Sequence, residues 1–158
     1  MSSTAPSRPR VVKGKRGFHI VASQFNAHYV QGLADHAEKE LRALAPDAVI
    51  SIHRVPGAFE IPVVVRELAS QKKPDAIIAC GVILKGETDH AQNLSRSVTH
   101  ALQRIAVDHG VPVINVVLSF DTEVQARARC VEDKINRGTG AARAAVEIAN
   151  VMAELRGK

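Results

Sequence analysis

Ala76-Ile-Ile-Ala-Cys-Gly-Val-Ile-Leu-Lys-Gly-Glu-Thr-Asp-His90 decides how this 158-residue chain is read. Ala76 to Leu84 is apolar without the every-second-residue alternation of a half-exposed strand. A strand buried on both faces of a parallel sheet has that pattern. Within six further residues come a lysine, a glycine, a threonine and a histidine. A strand that ends in a glycine-bearing loop and feeds a helix offers backbone N–H groups to an anion. His90 adds the side chain best suited to moving protons near neutral pH. Anion cradle plus proton carrier is the pattern of an active site.

The same strand-loop-helix unit recurs on either side. Gly17 to Ala22 is a short apolar strand, and Ser23-Gln24-Phe25-Asn26 a turn with Asn26 as N-cap. Val30, Leu33, Ala34, Ala37, Leu41 and Leu44 then fall at helical spacing up to Pro46-Asp47. Val49 to Val55 is a second strand, ending at Pro56-Gly57. Ala58-Phe-Glu-Ile-Pro62 opens a helix, with proline near its first turn. Its buried stripe is Val64, Val65, Leu68 and Ala69, and Lys72-Lys-Pro-Asp75 leads into the stretch quoted above. Beyond that stretch Asp89 is placed to cap a helix on Leu94, Val98, Ala101, Leu102 and Ile105, stopped by Gly110. Val113 to Leu118 is the fourth strand and Thr122 to Cys130 a short helix. Asn136-Arg137-Gly138 opens a last helix along Ala141, Ala145, Ile148, Ala149 and Met152.

Four such units in succession predict an α/β protein: a three-layer α/β/α sandwich around a four-stranded parallel sheet, flavodoxin-like. In sheets of this kind ligands bind beyond the carboxyl ends of the strands. The loops there are Ser23–Asn26, Pro56–Glu60, Leu84–His90 and Ser119–Thr122, and they hold the residues with chemistry to offer.

At 17.0 kDa the chain has room for one domain, expected over residues 17–158. Aromatic residues are 3%, so the core is built from Val, Ile, Leu and Ala. The net charge of +5 is concentrated in residues 1–16, where Arg8, Arg10, Lys13, Lys15 and Arg16 meet no acid; this segment reads as a disordered basic arm. Its basic residues lack interleaved aromatics for base stacking, which argues against nucleic acid as a partner. The arm carries no apolar stretch of a secretory signal, and no run approaches the roughly 20 apolar residues of a membrane span. Cys80 and Cys130 have no metal-ligand spacing and read as reduced thiols, which together points to a cytoplasmic protein.

Ser23-Gln-Phe-Asn26, Val55-Pro-Gly-Ala-Phe-Glu-Ile-Pro62, Gly86-Glu-Thr-Asp-His90 and Gln125-Ala-Arg-Ala-Arg129, with Asn136-Arg-Gly138 beyond, resemble the lumazine synthase family. The likeness runs from about Phe18 to the final helix. It implies condensation of 5-amino-6-(D-ribitylamino)uracil with 3,4-dihydroxy-2-butanone 4-phosphate, a step of riboflavin biosynthesis that uses no cofactor and no metal. By the same likeness Phe25 stacks on the pyrimidine, and Ala58, Phe59 and Glu60 bind the ribityl chain. Val82, Ile83 and Leu84 present backbone to the heterocycle; Glu87, Thr88 and Arg129 face the phosphate; His90 transfers protons. Arg127 competes with Arg129, a core position competes for Phe25, and Glu60 also suits a helix start. Two positions depart from the family pattern: Ala91-Gln92 stands where an aromatic commonly follows the histidine, and Asn115 stands where a bulky apolar residue lines the pocket. Asn115 can hydrogen-bond the uracil or alter the fit. The resemblance further implies a homo-oligomer, a pentamer or a sixty-subunit shell of pentamers, with sites shared between subunits. The rival is a flavodoxin-like module that holds a flavin or nucleotide without turnover at the same loops.

Overall fold

A computed structural model of the chain describes residues 4–71 and 73–157. Residues 1–3 of the arm, Lys72 of the expected 72–75 loop and Lys158 lie outside the described residues. The elements run β1 (Gly17–Ser23), α1 (Ala27–Leu44), β2 (Val49–Val55), a 3-10 turn (Ala58–Glu60), α2 (Ile61–Gln71), β3 (Ala76–Leu84), α3 (His90–His109), β4 (Val113–Phe120), α4 (Glu123–Cys130) and α5 (Arg137–Leu155). Among the described residues, four strands form one parallel sheet in the order β2-β1-β3-β4.

Side-chain alternation sorts the strands onto two cores. Phe18, Ile20 and Ala22 of β1 with Ile78, Cys80 and Val82 of β3 pack on Leu33, Ala37, Leu41, Ala142 and Val146 of α1 and α5. Val21, Ile77, Ala79 and Ile83 point the other way, onto Ile61, Val65, Val98 and Leu102 of α2 and α3. The expected three layers are therefore present, and β3 is buried along nearly its whole length.

Several local expectations are refined. The segment 58–62 begins as a 3-10 turn, and Pro62 is the second residue of α2, where its missing N–H costs no helical bond. Asn26 does not cap α1. Its backbone is left-handed (φ 55°), and its side chain makes no capping bond. Asp89 precedes α3 but likewise makes no side-chain cap. The caps that do form are Thr122 with Gln125, a reciprocal capping box on α4, and Asn136, which accepts from the Gly138 and Thr139 N–H groups at 2.8 and 3.3 Å. So Gln125 and Asn136 of the quoted motifs hold helix ends. Gly138 adds close packing: a Cβ there would stand 2.2 Å from the Leu33 carbonyl oxygen.

Residues 4–16 form no helix or strand and run along α1 and α5. Arg8 Nε donates to Glu40 Oε1 at 2.7 Å, and Arg143 donates to Glu40 Oε2 at 3.2 Å and to the Pro6 carbonyl at 2.7 Å. The Val12 N–H donates to the Leu44 carbonyl at 2.8 Å. Glu40 is buried, and these two guanidinium groups are what accompany its charge.

Cys80 and Cys130 are free and fully buried, and burial pushes both thiols up to about 12. A thiol reagent therefore leaves both untouched in the folded protein and modifies both once denaturant unfolds it. Native reaction at the rate of a free thiol would show that α4 opens readily. The thiols also set an alkaline limit. Unfolded cysteines ionise near about 8.5, so the folded-state preference for the protonated form is fully present below that pH. It is lost as pH rises toward 12.

Candidate active site

Parallel pairing carries all four strands toward one end of the sheet, and their loops are cross-linked there. Gln24 N–H donates to the Val55 carbonyl at 2.9 Å, and Phe25 N–H to the Pro56 carbonyl at 3.2 Å, tying the first loop to the second. Asn26 Nδ2 donates to the Val82 carbonyl at 2.7 Å, tying the first loop to the end of β3. Lys85 N–H donates to the Phe120 carbonyl at 3.0 Å, and Lys85 Nζ lies 2.8 Å from Asp121 Oδ1, tying the third loop to the fourth. The left-handed turn at Asn26 is thus the geometry that lets one side chain bridge two strand ends. Asn and Asp accept that region better than other residues with a Cβ.

Phe25 is 70% exposed, so it is not a core residue. Its ring and the Glu60 carboxylate both crowd Gly57: a Cβ at Gly57 would lie 2.9 Å from Phe25 Cδ2 and 3.1 Å from Glu60 Oε2. An aromatic ring and a carboxylate therefore both lie against one glycine, with Ala58 buried beside them and Phe59 68% exposed. Val82 and Ile83 bury their side chains in opposite cores and leave backbone at the strand end.

Residues 85–90, which include Glu87, Thr88 and His90, are exposed, and the space a Cβ would take at Gly86 is empty. His90 is the first residue of α3, and its N–H donates to Thr88 Oγ1 at 3.4 Å. Since Asp89 provides no cap, the first turn of α3 keeps its positive end open toward this loop. Next to it lies a cavity of about 440 Å³, lined by Lys85, Gly86, Thr88, Gln92, Arg96 and Ser119 among others. Ser119 Oγ is buried there without a hydrogen-bond partner among the described residues. Arg96 was not among the residues expected from sequence, and Ser119 was expected only as the first residue of the fourth loop, without a role of its own. The signal for Arg96 is its place one turn after Gln92 on α3.

Two expected residues stand apart. Asn115 pairs in register with Ala79, five residues before the Leu84–Phe120 pair, or about 16 Å back along the strand. Its amide donates to Thr99 Oγ1 at 3.3 Å and accepts from the Val117 N–H at 3.0 Å. Arg129 is in the last turn of α4, which packs on the α1/α5 side of the sheet, whereas His90 begins α3 on the α2 side. Its Nε is buried with no hydrogen-bond partner among the described residues. Arg127 is exposed and near Tyr29. The Tyr29 hydroxyl donates to Glu123 at 3.0 Å, and partial desolvation, then that carboxylate, raise its pKa above the ordinary phenol value.

A parallel α/β domain that gathers an aromatic ring, a carboxylate, an open helix N-terminus and a histidine at its strand ends has the layout of an enzyme for a small, partly anionic substrate. Residues 15–153 match the family model of 6,7-dimethyl-8-ribityllumazine synthase. The chain is 42% identical over 137 residues to the 6,7-dimethyl-8-ribityllumazine synthase of Leptothrix cholodnii, covering 86% of each chain. Its identity to that of Paraburkholderia phymatum is 41% over 137 residues, covering 86% of this chain and 77% of the relative. For the synthase of Azoarcus sp. the identity is 40% over 139 residues, with 87% and 86% covered. The protein belongs to the 6,7-dimethyl-8-ribityllumazine synthase family.

Proposed function

We propose that the protein condenses 5-amino-6-(D-ribitylamino)uracil with 3,4-dihydroxy-2-butanone 4-phosphate to form 6,7-dimethyl-8-ribityllumazine. The observation that carries this assignment is the meeting of the Phe25 ring and the Glu60 carboxylate over Gly57, beside the β3 end held by Asn26. Such a corner suits a flat heterocycle bearing a polyol. The ring stacks on Phe25, the ribityl hydroxyls donate to Glu60, and Ala58 and Phe59 line the chain's path. The backbone of Val82, Ile83 and Leu84 at the end of β3 faces the ring edge. Glu87 and Thr88, at the open start of α3, receive the phosphate. His90 takes up and returns protons as the amine adds to the ketone, phosphate leaves and the ring closes with loss of water.

In this assignment Arg129 reaches the phosphate, and Asn115 the uracil, from a neighbouring subunit. Support comes from their places away from His90 within one chain and from the exposed Phe59 and Val63, which a neighbouring copy would cover. The assembly is a pentamer or a sixty-subunit shell, and the enzyme works in the cytoplasm without a cofactor. No helix among the described residues is long and apolar enough to cross a membrane.

Mixing the purified protein with both substrates, without added metal, should give lumazine fluorescence and equimolar phosphate. Activity lost to a chelator and restored by zinc would contradict the proposed chemistry. A protein that retains flavin and forms no product would be a passive binding module instead.

A further inference from the structure

The amino ends of the central strands β1 and β3, about 25 Å from the loops described above, open into a second and chemically distinct cavity. It measures about 450 Å³, within the range of small-molecule sites. Lys13, Lys15, Arg16, Lys73 and Arg156 line it, with Asp75 as the carboxylate among its lining residues. Asp75 is already engaged, by Arg16 at 3.4 Å and by the Gly17 N–H at 2.8 Å. Asp47 stands near the rim, where its Oδ2 accepts from the Gly14 N–H at 3.3 Å. Five cations thus face two carboxylates. Lys13, Lys15 and Lys73 have no carboxylate within ion-pair distance among the described residues, and Arg156 spends its Nη2 on the neutral Gly110 carbonyl at 2.8 Å.

The lysines are exposed, but the backbone that carries part of the cluster is fixed by the fold. Segment 12–17 is pinned at both ends, by the Val12 N–H on the Leu44 carbonyl and by the Arg16 carbonyl, which accepts from the Val49 N–H, each at 2.8 Å. Lys73 has φ +42°, a region that residues with a Cβ rarely occupy. It also precedes Pro74, and a residue before proline is normally held extended. Strain of this kind persists where the surroundings demand it, and it concentrates at binding sites. Like charges gathered without counter-ions repel one another, so the arrangement favours a ligand that supplies several negative charges at once.

We infer that this cavity is a binding site for a small oligophosphate, such as a di- or triphosphate chain. Lysines bind phosphate as mobile point charges with three donors each, and three of the five cations are lysines. No aromatic side chain lines the cavity, so the phosphate chain is what is recognised and no base is stacked. The site is independent of the condensation chemistry. It uses none of the residues placed there, and it faces the opposite end of the sheet.

Titration of the assembled protein with inorganic tripolyphosphate, followed by calorimetry at low ionic strength, tests the inference. One saturable site per chain is expected, with affinity falling as salt approaches about 0.15 M, where screening reaches about 8 Å. Tripolyphosphate should bind at least about tenfold more tightly than orthophosphate, because each added charge-assisted contact contributes. The triple variant Lys13→Gln, Lys15→Gln, Lys73→Gln should weaken binding about a hundredfold and leave lumazine formation unchanged. Because arm residues 4–16 also brace α1 and α5, a second variant, Lys73→Gln alone, is measured alongside; about a tenfold loss is expected. Undiminished binding in both variants would place the anion elsewhere and overturn the inference, as would no saturable binding by the unaltered protein. Single-stranded RNA that binds more tightly than tripolyphosphate, with stoichiometry growing with its length, would show a diffuse basic surface and also overturn it.

Discussion

Replacing Arg129 by alanine should raise the KM for the butanone phosphate about ten- to a hundredfold and leave that for the ribitylaminouracil nearly unchanged, since a charge-assisted contact contributes roughly 1.5–3 kcal/mol. Two neighbouring arginines compete for the phosphate, and their surroundings differ. Arg127 is exposed and lies near Tyr29, whose hydroxyl is bonded to Glu123. Arg129 is half-buried, and its Nε lacks a hydrogen-bond partner among the described residues. A buried N–H of a cation without an acceptor is costly, and a bound phosphate would remove that cost. Arg127→Ala is the control and should change either KM by no more than about twofold, the scale of an exposed ion pair. Equal effects of Arg129→Ala on both substrates, with a lowered Tm, would show that the guanidinium braces α4. A selective effect from Arg127→Ala would transfer the role to Arg127.

The sequence made the strands legible where burial is two-sided. Ala76–Leu84 is such a strand and has the bounds its residues announce; Val49–Val55 keeps its bounds too, although as an edge strand it is largely exposed, and Gly110 stops α3 in a left-handed conformation. Where structure departs from the reading, the cause is distant in the chain. Asn26 looks like a cap because Asn caps helices, yet its amide is claimed by the Val82 carbonyl, 56 residues away. β4 runs on through Ser119 and Phe120, since these pair in register with Ile83 and Leu84 of β3. Asp89 has the chemistry of a cap without the geometry. The arm's composition suggests a segment that cannot bury enough surface to order itself. It does not show that Glu40, buried on α1, accepts from Arg8.

The candidate site divides in the same way. Its four loops could be placed because a parallel sheet sends every strand's carboxyl end in one direction. Phe25 and Glu60 could be suspected from their loops, but their meeting over Gly57 depends on how the 3-10 turn Ala58–Glu60 folds back. Arg96 escapes a linear reading, and Ser119 is legible only as the start of the fourth loop. One lies on a helix face and the other at an edge-strand end, and only the packing of α3 beside β4 makes them walls of one cavity.

Replacing His90 by alanine should lower kcat about tenfold to a hundredfold, at or below the floor of the 10²–10⁴ typical of a positioned acid–base group. The histidine starts α3 at the mouth of the loop, with its N–H on Thr88 Oγ1 and its residue exposed. A group so placed can exchange protons with solvent between the addition and dehydration steps. The effect is expected to be modest because the amine is already a competent nucleophile. Most of the acceleration then comes from holding two substrates together, and that contribution survives loss of the side chain. The two KM values should therefore stay close to wild type, and loss should appear in kcat alone. His90→Gln retains a hydrogen-bonding side chain but cannot take up a proton near neutral pH, so it should be as slow as the alanine variant. If glutamine restored wild-type turnover, His90 would be a positioning residue. A kcat unchanged within about twofold in His90→Ala, with chemistry limiting the rate, would remove it from the mechanism and leave positioning at the strand ends as the main source of catalysis.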